Sequence, residues 1–160
     1  MKNSNIKAID ILIVEDNAGD ARLIKEVLND NKLYGLLYLV KDGVEALEFL
    51  RNEGKYETSP KPDLIILDLN LPKKDGREVL AEIKNDDVLK HIPIVIMTIS
   101  QAEEDILRSY NLHANCYITK PIDLNQFIKV VKSIEDFWFS TVKLPSKIQG
   151  YSVIPGQIRY

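Results

Sequence analysis

Five short apolar runs alternate with five stretches of helical periodicity, and this alternation constrains the fold more than any other feature. The runs are Ile11–Val14, Leu36–Val40, Leu64–Leu67, Ile94–Met97 and Cys116–Ile118. Their branched composition suits β-strands. Between them, Leu23, Ile24, Val27 and Leu28 share one helical face, as do Val44, Leu47 and Leu50, then Val79, Leu80 and Ile83. Ile106, Leu107 and Tyr110 form a shorter stripe, and Leu124, Phe127, Ile128, Val131 and Ile134 a long one. Pro60, Pro62, Pro93 and Pro121 mark borders. Repeated strand–helix alternation implies an α/β fold: a doubly wound, five-stranded parallel sheet with helices on both faces. Unbroken apolar runs fit strands buried on both sides.

In such folds ligands sit beyond the carboxyl ends of the strands, where the strand order switches. The residues that follow each run therefore carry the functional information. Glu15 and Asp16 follow the first, Asp68 the third, Thr98 the fourth, and Lys120 lies just past the fifth. Three carboxylates brought together repel one another unless they are neutralised. A hard divalent cation such as magnesium does this with oxygen ligands. Asp68 could bind the metal and also attack a phosphoryl group, giving an acyl phosphate. Lys120 would add a compact positive charge, and Thr98 a hydroxyl donor for a phosphate oxygen. Such transfer depends mostly on positioning and electrostatics.

With these residues in order, the chain resembles the receiver domain of two-component response regulators, over roughly residues 9–138. The resemblance rests on Glu15-Asp16, Asp68 in "LDLNLPKKDG", Thr98 in "IMTIS", and Tyr117, Lys120 and Pro121 in "YITKP". It implies the flavodoxin-like strand order 2-1-3-4-5, with Asp68 as phosphoacceptor. It implies magnesium held by Glu15, Asp16, Asp68 and the main-chain carbonyl of Asn70. It also implies Thr98 and Tyr117 as a switch pair, with Tyr117 outward or mixed before phosphorylation, and a cis Lys120–Pro121 bond. The stretches "DLNLPKKDGREVLAEIK", "SYNLHANCYITKP" and "FWFSTVKLP" are similar to small single-domain regulators that partner phytochrome-type histidine kinases. Two positions depart from the commonest receiver pattern. Ile99 follows Thr98 where many members carry a small residue, and Glu15 stands where many carry aspartate.

Other readings remain at this stage. An aspartate-nucleophile phosphohydrolase also ends an apolar strand on Asp, but its second acid would fall at Asn70, which cannot serve as a carboxylic acid. A pseudo-receiver switched without phosphate is disfavoured by the complete set Glu15, Asp16, Asp68, Thr98 and Lys120. Taken one at a time, these side chains have ordinary readings: a helix-start acid pair, a strand-end hydroxyl, a surface lysine. Cys116 reads as a small core hydrophobe, and His91 and His113 show no metal spacing. Gly19 belongs to no phosphate-binding fingerprint, and no Walker-type loop is present.

The 160 residues carry 21 basic and 24 acidic side chains, so no basic excess makes nucleic acid the default partner. No apolar run is long enough to span a bilayer. A soluble, cytoplasmic protein is expected, with a receiver over residues 1–139 and an extension over 140–160 too short to be a separate output domain. The last helix carries more apolar surface than one face needs: Val130, Phe137, Trp138 and Phe139 lie beyond its stripe. The favoured expectation is a homodimer through Phe137, Trp138 and Phe139, using the last two helices and the extension. The competing one is that the tail, with Leu144, Ile148, Tyr151, Val153 and Ile154, folds back over this surface.

Overall fold

The computed structural model describes residues 9–29, 35–145, 152–154 and 157–159. The five expected strands form as β1 (Ile11–Val14), β2 (Leu37–Val40), β3 (Leu64–Leu67), β4 (Ile94–Thr98) and β5 (Cys116–Thr119). They pair in parallel in the order β2-β1-β3-β4-β5. The intervening helices are α1 (Ala18–Asn29), α2 (Gly43–Arg51), α3 (Gly76–Lys84), α4 (Glu103–Asn111) and α5 (Leu124–Glu135). The chain steps outward from β1 to β2 and then returns to β3 on the other side of β1. The switch point therefore lies between β1 and β3. Their register pairs Val14 with Leu67, so Glu15 and Asp68 leave the sheet side by side.

Successive strand residues face opposite sides of the sheet, and the apolar runs therefore feed two cores. Leu12, Val14, Ile65, Leu67, Ile94 and Ile96 pack with Phe49, Leu50, Val79, Leu80 and Ile83 of α2 and α3. Ile11, Ile13, Leu64, Ile66, Val95 and Met97 pack with Ile24, Val27 and Leu28 of α1 and with Phe127, Val131 and Ile134 of α5. Each fully buried aliphatic side chain contributes about 1.5–3 kcal/mol.

Local chemistry sets the helix borders. Asp42, Asp75 and Asp123 cap α2, α3 and α5, accepting from the amides of Glu45, Arg77 and Gln126. Asn52 ends α2 in the left-handed conformation, with φ 56°. The loop after Asp68 is held tightly. A Cβ on Gly76 would lie 2.2 Å from the Asp68 carbonyl oxygen, and one on Gly43 would lie 2.0 Å from that of Lys74. Both positions need glycine because backbone passes over backbone.

Several helical stripes differ from the sequence reading. Val44 is exposed, and Ala46 and Phe49 face the core instead. On α4 the only buried residue is Ser109, while Leu107 and Tyr110 are exposed. α4 packs beside β5 at the sheet edge, so it needs little apolar surface. Leu124 is exposed at the start of α5, and Leu36 lies outside β2. No cis peptide occurs among the described residues, so the Lys120–Pro121 bond is trans, not cis as expected. Trans is the isomer that X–Pro bonds favour by about 0.5–1 kcal/mol.

Beyond α5 the helix widens into a π-helical turn, Asp136–Thr141, with the Val142 amide bonded to the Phe137 carbonyl at 2.9 Å. Trp138 is buried at 9% exposure and packs with Leu144 in the α1/α5 core, while Phe137 is 53% exposed. Phe139 is partly buried against the same core. The continuing α5 stripe, Val131, Ile134 and Trp138, accounts for this division, and the proposed aromatic interface surface is reduced mainly to Phe137. Leu144 folds back as the competing expectation required, whereas Ile148, Tyr151 and the side chains of Val153 and Ile154 lie outside the described residues. Strands β6 (Ser152–Ile154) and β7 (Gln157–Arg159) pair as an antiparallel hairpin in their own sheet.

Candidate functional site

The polar residues predicted at the strand ends meet in one crevice. Glu15 and Asp68 are buried, and Asp16 is exposed at the mouth. Oxygens of these three carboxylates lie within 4.8 Å of one another. Lys120 reaches them from the far edge of the sheet. Its Nζ stands 2.5 Å from Glu15 Oε1 and 2.9 Å from Asp68 Oδ2. The register explains that reach: Thr98 pairs with Thr119, and the Lys120 amide donates to the Thr98 carbonyl at 2.7 Å.

Asp20, which the sequence reading did not single out, also takes part. Its Oδ2 lies 3.0 Å from Lys120 Nζ. The only signal in the sequence was an acid in the first turn of the helix that leaves the β1 end, a position where acids are common for dipole reasons. Counting it, one ammonium pairs with Glu15, Asp20 and Asp68, and Asp16 adds a fourth carboxylate beside Glu15 and Asp68, so the crevice is under-neutralised by the protein's own charges. An all-oxygen donor set with excess negative charge fits a hard divalent cation.

The titrating groups reflect this packing. Burial pushes the Glu15 carboxyl up to about 7, against the pull of its hydrogen bond from Lys120. Burial acts in the same upward direction on Asp68, but the bonds from Lys120 and from the Asn70 amide outweigh it and hold Asp68 below the ordinary carboxylate range. Burial alone would lower Lys120, and its bonds to Asp68 and Glu15 raise it instead. Asp68 is thus an ionised carboxylate in a nearly dry place, with Oδ1 accepting from the Asn70 amide at 3.1 Å. Thr98 is fully buried, and its Oγ1 accepts from Asn70 Nδ2 at 3.4 Å. That amide occupies the position where a phosphohydrolase would carry its second acid.

Tyr117 lies apart from the carboxylates. Its ring is half-buried against the α2/α3 core, and its hydroxyl donates to the Ser100 carbonyl at 3.0 Å. This differs from the outward or mixed ring expected, because a main-chain acceptor lies within reach. Ile99 is exposed beside Thr98. Cys116 is half-buried, and burial raises its thiol, as suits a small hydrophobe. A groove of about 380 Å³ runs from Glu15 and Asp16 past Arg22 and Lys25 to Lys41, leaving the crevice open on the α1 side. Among the described residues no helix is long and apolar enough to cross a membrane.

Comparison with known proteins matches residues 11–132 to the response regulator receiver domain. The response regulator Rcp1 of Synechocystis sp. is 53% identical over 136 residues, covering 85% of this chain and 92% of that one. The crystal structure of the Mn(2+)-bound form of Rcp1 superposes with a TM-score of 0.84 at 52% identity, covering 86% of this chain and 99% of that one. The phosphorylated cyanobacterial phytochrome response regulator RcpA gives a TM-score of 0.85 at 54% identity, covering 87% and 99%.

Proposed function

The chain belongs to the response regulator receiver family, and from that premise we propose that it accepts a phosphoryl group from a sensor histidine kinase on Asp68 and changes its binding partners in response. The observation that carries this reading is the Asp68 carboxylate itself: buried, held ionised, and shared between Lys120 and the acidic pair. A carboxylate oxygen attacks phosphorus, the new O–P bond makes an acyl phosphate, and the P–N bond to the kinase histidine breaks with its electrons returning to the imidazole. Lys120 already lies against Asp68 Oδ2, so it can stay close to the phosphoryl oxygens and offset their charge. Thr98 supplies a hydroxyl from the neighbouring strand end. Glu15, Asp16, Asp68 and the Asn70 carbonyl would hold the magnesium ion, whose chemistry is to neutralise charge on the transferring group.

Phosphorylation adds about −1.5 to −2 charge at pH 7. Thr98 and Tyr117 are read as the pair that converts this charge into a surface change near α4 and β5. The family assignment makes the chain a signalling protein, and we read its own catalysis as confined to gaining and losing its phosphoryl group. The likeness to RcpA favours a phytochrome-type kinase as partner, and a supply of nucleotide-charged kinase favours the cytoplasm. We read residues 1–139 as the receiver and 140–160 as an extension. Exposed Phe137 at the end of α5, and exposed Leu107 and Tyr110 on α4, support a homodimer that draws on these two helices. The deciding experiment is phosphoryl labelling of wild type and Asp68→Asn by a phytochrome-type kinase and by acetyl phosphate, with and without magnesium. Hydroxylamine-sensitive label should require both Asp68 and the metal; label that persists on Asp68→Asn overturns the assignment.

A further inference from the structure

The connection from β4 to α4 is fixed by a polar chain that takes no part in the crevice. Arg77, in the first turn of α3, grips Asp105 of α4 through two parallel bonds, Nε to Oδ1 and Nη2 to Oδ2, each 2.7 Å. Its remaining nitrogen, Nη1, donates to Asp75 Oδ1 at 2.9 Å. Asp105 Oδ2 also accepts from Ser100 Oγ at 2.5 Å, and the Ser100 carbonyl accepts from the Tyr117 hydroxyl. The two charged side chains are only 19% and 17% exposed, which sets this pair apart from ordinary surface ion pairs.

The geometry has direction. A guanidinium–carboxylate fork fixes orientation as well as distance. Asp105 is thus held in one pose, its carboxyl kept down near 2 by Arg77 first and Ser100 second, and it stays an ionised acceptor at any physiological pH. Ser100 lies two residues beyond Thr98, so clamping its hydroxyl also steadies the carbonyl on which Tyr117 rests. At the other end, Arg77 follows Gly76, whose backbone passes directly over the Asp68 carbonyl.

We infer that Arg77 and Asp105 are positioning residues for the response: their fork holds the Ser100 carbonyl where it anchors Tyr117, and so sets the balance between an anchored and a released ring. This deepens the function proposed above and rests on Tyr117 being a switch residue. Neither residue touches Asp68; both act through Ser100. Arginine is required because a lysine ammonium is a point charge and cannot make the fork.

The test is NMR of the full chain with labelled tyrosine rings, in wild type, Arg77→Ala, Arg77→Lys and Asp105→Asn, with Tyr117→Phe to assign the resonance. The Tyr117 signal should move toward that of a solvent-exposed ring in all three fork variants, with the anchored-to-released ratio falling at least about two-fold, as for coupled neighbours. Arg77→Lys should resemble Arg77→Ala. Unchanged signals from Tyr38 and Tyr56 would report an intact fold, and Asp105→Asn, nearly isosteric, guards against loss of folding. A Tyr117 resonance that stays at its wild-type position in Arg77→Ala and Asp105→Asn overturns the inference. The readout needs no phosphoryl group, so failure to label Asp68 would sink the proposed function while leaving this result to stand or fall alone.

Discussion

The Lys120 ammonium lies 2.9 Å from Asp68 Oδ2, with the lysine side chain 4% and the aspartate 6% exposed. A dry ion pair of this kind is costly to break from one side, because the survivor stays buried and unpaired. Lys120→Ala leaves Asp68 and Glu15 without their cation. Urea unfolding at neutral pH should show a stability loss of about 3–5 kcal/mol in the absence of divalent metal. Magnesium should restore part of it, with an affinity similar to or above that of wild type by calorimetry. Loss of metal binding in this variant would contradict the role given to Lys120.

Gly76 bears on phosphoacceptor placement. Alanine there would press its Cβ to 2.2 Å from the Asp68 carbonyl oxygen and 2.6 Å from Leu69 Cα, both backbone atoms that cannot swing away. Gly76→Ala should cost about 1–3 kcal/mol, as overpacking does, and slow labelling by acetyl phosphate. Gly19→Ala is the control: its nearest neighbour is the Asn17 side-chain oxygen at 3.3 Å, and both stability and labelling should change little.

Lys84 gives a pH signature remote from the crevice. Burial lowers its amine from 10.5 to about 8, while its Nζ donates to the carbonyls of Lys90 and Ile92. The folded state therefore gives up its proton at lower pH than the unfolded chain. Between about pH 8 and 10.5 the unfolded chain binds more protons, and stability gains a positive slope with pH there. Below pH 8 both states are protonated and the slope vanishes. Denaturation of wild type against Lys84→Met across this range should show a more positive slope in wild type than in the variant; parallel curves would refute it.

The two aromatic neighbours at the end of α5 should separate folding from association. Trp138→Ala empties a buried site and should cost about 3–5 kcal/mol. Phe137→Ser removes a half-exposed ring that meets Trp138 edge-on, with centroids 5.5 Å apart; it should cost only about 0.5–1.5 kcal/mol while weakening self-association by light scattering. A wild-type protein that remains monomeric at high concentration, with and without phosphorylation, rules the homodimer out.

The parallel sheet was legible because five apolar runs with helical stripes between them admit few topologies, its strand order came only with the resemblance to receiver domains, and the strand-end rule located Glu15, Asp16, Asp68, Thr98 and Lys120. What escaped depended on side-chain reach. Asp20 looks like any acid near a helix start until the Lys120 ammonium is seen beside it. Arg77 and Asp105 are separated by a strand and two loops, and nothing in their spacing announces a fork. The α4 stripe differs because periodicity records which residues are apolar, not how much of a helix the sheet edge covers. At the end of α5, the helical period that carries Val131 and Ile134 also turns Trp138 inward, whereas a run of three aromatic residues carries no such direction of its own.

Trp138 is the only indole in the chain, and it sits where α5 gives way to the extension, against Leu144. The protein therefore carries its own optical reporter at that junction. Emission excited at the indole alone senses whether the residues around Leu144 remain docked, with no label added and no background from a second tryptophan. Motion confined to Ser100 and Tyr117, on the opposite side of the sheet, leaves that emission dark to the event. A shift in indole emission on phosphorylation would trace the signal across the sheet to the α5 end, and a silent indole would confine it to the α4 side.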